Sequence, residues 1–468
     1  MTVQHDERRT DRQPTANVSR PPDFSASVAN RLSPLLAQLF AGGAPVRFVF
    51  WDGSALGPEN GSGTVILHSR RALTRLVWSP DELGFARGFV TGDTEVEGDL
   101  YVALEALHTA MRHTRRLSAR TLGSGVWAAL RLGAISRPPV RPDEEVRLTG
   151  WRHSKERDAT AINHHYGVSN DFYRLVLGQA MTYSCARFER EAITLEEAQR
   201  SKHDLICRKL GLHEHQGARL LDVGCGWGSL AMHAAAQYRA EVVAITLSPA
   251  QAELARDRVR DAGLERHVEI RLQDYRELHG ETFDAISSVG MFEHVGTRRM
   301  GEYFETLHSV LAPKGRLLNH AISTPGGSKM HGRTFMNRYV FPDGELVDVA
   351  DVVRSMEQAG FEVRDVESLR EHYSATLRAW VTNLERAWGD AVELVGEPRA
   401  RVWRLYMAAS ANGFEDGGLA IHQVLGVVPT NDGVSGMPIN RASWDARSID
   451  DPTQRILRAQ HRVAKPRP

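Results

Sequence analysis

The stretch Leu220-Leu221-Asp222-Val223-Gly224-Cys225-Gly226-Trp227-Gly228 is where residue types and spacing first suggest chemistry. An apolar run closes on an acidic residue and a series of glycines, and a helical pattern follows at 230–238. Glycine lets a backbone turn tightly and approach a ligand closely at the carboxyl end of a strand. The spacing is G-x-G-x-G, whereas the dinucleotide fingerprint that cradles a pyrophosphate is G-x-G-x-x-G. A donor without a phosphate, S-adenosylmethionine, suits that departure. The second strand of such a unit often ends in an acid that bonds ribose hydroxyls. Here it ends Thr246-Leu247-Ser248, with Gln251 a helical turn later, so ribose recognition falls to neutral groups. Gln273 and Asp274 follow the third strand and can bracket an adenine, although Asp274 could equally cap a helix.

These residues need a scaffold, and the surrounding pattern supplies one. Strand-like runs at 219–223, 242–246, 268–272, 283–289 and 316–322 alternate with helical runs at 230–238, 249–262 and 299–311. Such alternation implies right-handed crossovers and a mainly parallel sheet. A further helix is expected at 349–359, a strand at 361–368, and covering helices at 373–388 and 399–412. Ahead of this lies a small α+β unit, with strands at 46–51 and 64–68 and helices at 70–78, 81–89 and 100–113. The fold class is therefore α/β, a Rossmann-like methyltransferase sheet with helical additions preceded by a small α+β domain. The expected boundaries are a disordered tail at 1–25, the small domain at 26–133, a Pro-rich linker at 134–150, the catalytic domain at 151–430 and a tail at 431–468.

Composition excludes little. Lys plus Arg equals Asp plus Glu at 58 each, so net charge points to no nucleic-acid partner. Three cysteines make no disulfide framework and fit a reducing, cytoplasmic compartment. No run of about 18 apolar residues occurs to span a membrane. Between Ala106 and Pro142 there are seven arginines and no acid, with Val126, Trp127, Leu130 and Leu132 interspersed. That segment suits an anionic membrane surface, or else is a solvated helix face and a linker.

Several short segments fall in order around the glycine loop: His165-Tyr166-Gly167-Val168-Ser169-Asn170-Asp171-Phe172-Tyr173, Tyr183-Ser184-Cys185, Met291-Phe292-Glu293-His294-Val295-Gly296, His320-Ala321-Ile322 and His372-Tyr373. Together they resemble the cyclopropane fatty acid synthase family, which includes the mycolic acid cyclopropane synthases, over roughly 150–430. The resemblance implies methyl transfer to the cis double bond of an unsaturated phospholipid acyl chain at a membrane surface. It further implies a carbocation that is deprotonated by a bound bicarbonate. Carried over, the catalytic positions are Cys185, Glu293, His320, Tyr373, the backbone of Ile322, and Tyr166. The donor positions are Tyr183, Ser184, Gly224, Gly226, Thr246, Leu247, Gln251, Gln273 and Asp274. No metal is implied. A homo-oligomer is left open, and so is a separate reductase should the product be a methylene branch.

Each residue also has a plain structural reading. Cys185 can be a small buried apolar residue, His320 a core histidine and Tyr373 a packing residue. A departure stands at Ala321, where many members of the resembled family carry threonine. Methylation followed by a hydride shift gives a 10-methylene chain, the tuberculostearic acid precursor, and a small-molecule acceptor is a more distant alternative. A small amine or hydroxyl acceptor would not need an anion cage.

Overall fold

Thr64-Val65-Ile66-Leu67 alternates buried Val65 and Leu67 with half-buried neighbours, the period of a one-sided strand. It lies at the centre of the amino-terminal unit of the protein, whose computed structural model describes residues 27–40, 43–112, 119–146, 169–327, 334–342 and 344–445. The strands are β1 (Arg47–Phe50), β2 (Ala55–Leu56), β3 (Thr64–Leu67) and β4 (Thr94–Glu97), in the order β2-β1-β3-β4. β1 and β3 run parallel and the other pairs are antiparallel. Helices Val28–Leu39, Arg70–Trp78, Glu82–Val90, Leu100–Arg112 and Ala119–Arg131 surround this sheet. Buried Asp93 ties the Arg70–Trp78 helix down through Arg71 at 2.8 Å and Arg75 at 3.0 Å.

The second unit carries β5 (Arg219–Val223), β6 (Glu241–Thr246), β7 (Val268–Leu272), β8 (Phe283–Val289), β9 (Leu311–Ser323), β10 (Glu362–Ser368) and β11 (Ala420–Val427), in the order β10-β11-β9-β8-β5-β6-β7. β7, β6, β5, β8 and β9 run parallel, and β11 is antiparallel to both β9 and β10. The chain builds outward from β5 through β6 and β7, then returns to the other side of β5 with β8. That reversal opens a crevice beyond the carboxyl ends of β5 and β8, the place where such sheets hold ligands.

The expected parallel strands and their helices are present. The helix expected at 299–311 stops at Ser309, and Leu311 already pairs with Phe283 in the sheet. Pro313 explains the early stop, since it keeps Ala312 out of the helical region. β11 was not foreseen, nor were the helices Asn170–Leu177 and Leu195–Lys209. The latter begins on a capping box, with Thr194 accepting from Glu197 N and the Glu197 side chain accepting from Thr194 N.

The described part of the connector is pinned at its carboxyl end. Glu145 accepts two bonds of 2.8 Å from Arg87, and Val146 N donates to Arg338 O at 2.7 Å. The helices Arg370–Arg386 and Glu397–Glu415 pack between the units, so a single hydrophobic core runs from Val28 through Phe89 to Trp403 and Ile421. The segment 431–445, expected within a tail, folds back: Trp444 is buried against the Leu195–Lys209 helix, and Arg441 pairs with Asp365. The expected tails at 1–25 and 446–468 lie outside the described residues. No described helix is long and apolar enough to cross a membrane.

Candidate active site

The glycine loop joins β5 to the Ser229–Tyr238 helix. Gly224, Gly226 and Gly228 all have positive φ, at 79°, 55° and 79°. At Gly224 a Cβ would also lie 2.8 Å from Met291 Cβ, so this loop and the one after β8 touch only because a side chain is missing. The amides of Gly224 and Cys225 both donate to Ile245 O at 3.0 Å. Trp227 Nε1 donates to Asn170 Oδ1 at 2.9 Å, which docks the described end of the expected motif segment, 169–173, against the loop.

A cleft at this crevice is lined by eight of the nine donor-side positions: Tyr183, Ser184, Gly224, Gly226, Thr246, Leu247, Gln251 and Gln273. Thr246 donates to Gln251 Oε1 at 2.8 Å, so these two neutral groups position each other at the end of β6. Asp274 is the exception. Its carboxylate caps the following turn at Arg276 N, 2.9 Å, and grips the Arg276 guanidinium at 2.5 Å. The capping reading is what its geometry shows, and Arg276 rather than Asp274 reaches the cleft wall.

Two buried charged groups on that wall were given no role in the sequence analysis. Lys202 is buried and donates to Ser184 Oγ at 2.9 Å. Asp222, the acid before the glycines, accepts from Ser287 Oγ at 2.8 Å, while its second oxygen has no partner among the described residues. Burial pulls the Lys202 ammonium down to about 7 and pushes the Asp222 carboxyl up to about 6. Both groups are thus held next to the cleft at a desolvation cost. The Thr194-x-x-Glu197 signature would have located the Leu195–Lys209 helix in the sequence, but nothing local marks Lys202 within it.

Glu293 sits in a short turn just after β8. Its Oε1 accepts from Ile322 N at 2.8 Å, and its buried Oε2 has no partner among the described residues. Burial pushes this carboxyl up to about 7. The resemblance assigned the Ile322 amide to a bound anion, and here that amide donates to Glu293 instead. His320 lies two residues earlier on β9, buried, with Gln423 Nε2 3.2 Å from its Nδ1 and no partner at Nε2 among the described residues. Burial drives its pKa down, so the ring is neutral. Successive strand residues face opposite sides. Ala321 accordingly points away from His320 and packs in a separate core with Leu317 and Phe292.

Cys185 and Tyr373 meet these groups through the backbone. Leu369 O accepts from Tyr373 N at 3.1 Å and lies 3.6 Å from Cys185 Sγ. Leu369 N donates to Ile421 O, and Ile421 pairs with Ile322 in the sheet. Burial drives the Cys185 thiol well up, so it is a thiol and not a thiolate. Tyr373 stacks near Phe414 and Trp380, and Tyr183 also packs on Trp380 at 5.2 Å. Tyr183 donates to Tyr406 at 2.9 Å, and Glu293 and Tyr406 interact electrostatically. Cys185, Glu293, His320, Ile322 and Tyr373 thus gather beside the donor cleft without lining it. Tyr166 lies outside the described residues.

The chain resembles known proteins over most of its length. The family described as "Mycolic acid cyclopropane synthetase" matches residues 153–424. A "Probable fatty acid methyltransferase" of Mycobacterium tuberculosis is 41% identical over 412 residues, covering 86% of this chain and 95% of its own length. That span is longer than the stretch from 153 to the carboxyl terminus, so the likeness includes part of the amino-terminal unit. "Tuberculostearic acid methyltransferase UfaA1" of the same organism is 34% identical over 431 residues, 88% of this chain and 95% of its own. Among solved structures, mycolic acid cyclopropane synthase CmaA1 complexed with SAH and CTAB superposes at a TM-score of 0.54 with 35% identity, covering 57% of this chain and 97% of that one.

Proposed function

The chain belongs to the mycolic acid cyclopropane synthetase family of S-adenosylmethionine-dependent methyltransferases, and on that premise we propose that it methylates the cis double bond of an unsaturated phospholipid acyl chain and closes it to a cyclopropane. The observation that carries the reading is a pair of buried polar atoms, Glu293 Oε2 and His320 Nε2, which have no hydrogen-bond partner among the described residues. Buried polar groups are rarely left unpaired without a functional reason.

The donor fits the cleft. The glycine loop leaves room for a close backbone approach, and the side chains at either end suit a zwitterion. Lys202 with Ser184 would hold the carboxylate of its methionyl part, and Asp222 Oδ2 would accept from its ammonium. When bound, it supplies an electrophilic methyl group on a sulfonium. Transfer of that methyl to an alkene leaves a positive charge on the acyl chain, away from water. Tyr183 lines the cleft with Trp380 and Trp403 packed behind it at 5.2 and 5.8 Å, and an aromatic ring there would favour a cation.

The donor and acceptor chemistry of these two atoms suits a bicarbonate ion. With Gln423 donating to Nδ1, His320 presents an Nε2–H donor, and a Glu293 carboxylate presents an acceptor for an O–H. Such an anion would supply the base for the single proton that must leave. Glu293 is placed to take up a proton at Oε2, since burial already favours its neutral form. Enclosure of these groups keeps water from capturing the cation.

A second product is favoured by one specific comparison, the likeness to a tuberculostearic acid methyltransferase. A hydride shift before proton loss would give a 10-methylene chain, which a separate reductase would then saturate. Ala321 does not separate the two outcomes by contact, because it faces the opposite side of the sheet from His320.

The deciding experiment offers the purified full-length protein methyl-labelled donor and vesicles of oleoyl phospholipid. Label in the acyl chains is the expected result, and transfer only to small amines would overturn the reading. Proton NMR of the released esters then separates ring protons, expected here, from vinylidene protons.

A further inference from the structure

A second space, unrelated to the donor cleft, lies between the amino-terminal unit and the Glu397–Glu415 helix. It is a cavity of about 950 Å³ and shares no lining residue with the cleft. Leu32, Leu36, Phe85 and Leu107 line it on one side, and Leu405 and Ala409 on the other. This volume is at the upper end of ligand pockets, which span about 300 to 1,000 Å³. Water would fill so apolar a space poorly, because each molecule needs several polar partners. Four of the five acidic groups in its lining are engaged: Asp81 accepts from Leu83 N and Gly84 N, Glu82 from Phe335 N, Glu415 from Arg378 and Ser374, and Asp416 lies within 3.9 Å of Arg112.

The mouth identifies the occupant. Val77, Met111 and Val126 line the cavity and are exposed to solvent. Trp127 and Leu130, 55% and 56% exposed, continue this apolar rim along the Ala119–Arg131 helix. Arg131 stacks over Trp127 at 3.9 Å, and exposed Arg112 stands at the same opening. A contiguous exposed apolar rim marks an interaction surface. Indole rings and guanidinium groups together suit the boundary between acyl chains and anionic headgroups. We propose that this cavity is a second, non-catalytic acyl-chain site, which takes one chain of an anionic bilayer phospholipid and leaves its headgroup beside Arg112 and Arg131. The inference rests on the lipid-modifying reading for its choice of ligand. It adds that the Glu397–Glu415 helix separates two lipid sites, with Leu405 and Ala409 facing the anchor chain and Tyr406 joined to Tyr183 of the catalytic site.

The test uses the full chain with phosphatidylglycerol vesicles doped with a phospholipid bearing a diazirine at the end of one acyl chain. After irradiation and digestion, crosslinks are expected on peptides containing Leu36, Leu107 or Ala409, separate from any on peptides containing Tyr183 or Glu293. Ala409→Trp, which fills the cavity from an accessible position, should abolish the first group, leave the second, and preserve methyl transfer to detergent-dispersed lipid. Arg131→Ala, at the rim and outside the cavity, should weaken vesicle binding by about fivefold. Thermal unfolding of each variant shows whether it is folded. Crosslinks confined to active-site peptides, or a cavity pattern unchanged by Ala409→Trp in the folded variant, would overturn the proposal. Cavity crosslinks without label transfer to acyl chains would leave this site standing and overturn the catalytic reading instead.

Discussion

Glu293 combines two properties that make it testable at a single atom. Its carboxyl is buried, and it accepts one bond while a second oxygen waits unpaired. Glu293→Gln keeps the shape and removes the acid, so turnover should fall by about 100-fold or more with donor binding intact. Retained full turnover would remove Glu293 from the mechanism. The pH dependence follows from the raised pKa. The folded state keeps the proton up to about 7, while the unfolded chain releases it near 4.5. The folded state therefore binds more protons across that window, and stability falls as pH rises through it, by about 3 kcal/mol in total. Urea midpoints of wild type should drop between about pH 5 and about pH 8 relative to Glu293→Gln, while activity that needs the carboxylate rises. Lys202 gives the complementary test. Lys202→Met should weaken binding of the donor or its demethylated product by about tenfold, the worth of one bond to a charged group. Folding stability should not fall, because a desolvated ammonium is removed. Calorimetric titration and urea unfolding together check both halves.

At the scale of elements, the donor cleft depends on two loops meeting at the reversal point of the sheet. Gly224 is where they meet: its φ is positive and Met291 occupies the space a Cβ would need. Gly224→Ala should lose donor binding and cost about 1 to 3 kcal/mol of stability. Gly226 also has positive φ but opens onto nothing within reach, so Gly226→Ala should cost strain without the clash and be the milder change. A denaturation series comparing the two separates strain from steric contact. The strands and helices of this region were legible because their apolar runs and glycine breaks follow the periods of a parallel sheet. β11 was not legible. Its antiparallel entry between β9 and β10 is set by pairing with strands about 100 and 60 residues earlier, which no local pattern reports.

For the whole molecule, the packed connector replaces the expected free linker in the described part. Arg87 of the amino-terminal unit holds Glu145 of the connector by a bidentate pair in which Glu145 is almost fully buried, and the next residue, Val146, bonds Arg338 of the second unit. Arg87→Ala leaves that carboxylate uncompensated, and the expected loss is about 3 kcal/mol. Hydrogen exchange should then show earlier opening along the Glu82–Val90 helix, and exchange unchanged from wild type would show that the units hold without the pair. The same packing creates the large apolar cavity, whose walls come from helices far apart in sequence.

By itself the sequence determined the parallel sheet, the glycine loop and the order of the motif segments, because each rests on residues adjacent in the chain. It could name Glu293, His320, Cys185 and Tyr373 as a set only through resemblance. Tertiary structure decided how they are joined: through Ile322, Ile421 and Leu369, backbone groups brought together by β9 and β11. It also decided that Asp274 caps a turn, that Lys202 and Asp222 reach the donor cleft, and that Ala321 faces away from His320. Burial and facing depend on what packs from distant parts of the chain. Only the folded arrangement of a helix, a strand and a loop makes a lysine buried or a carboxyl unpaired.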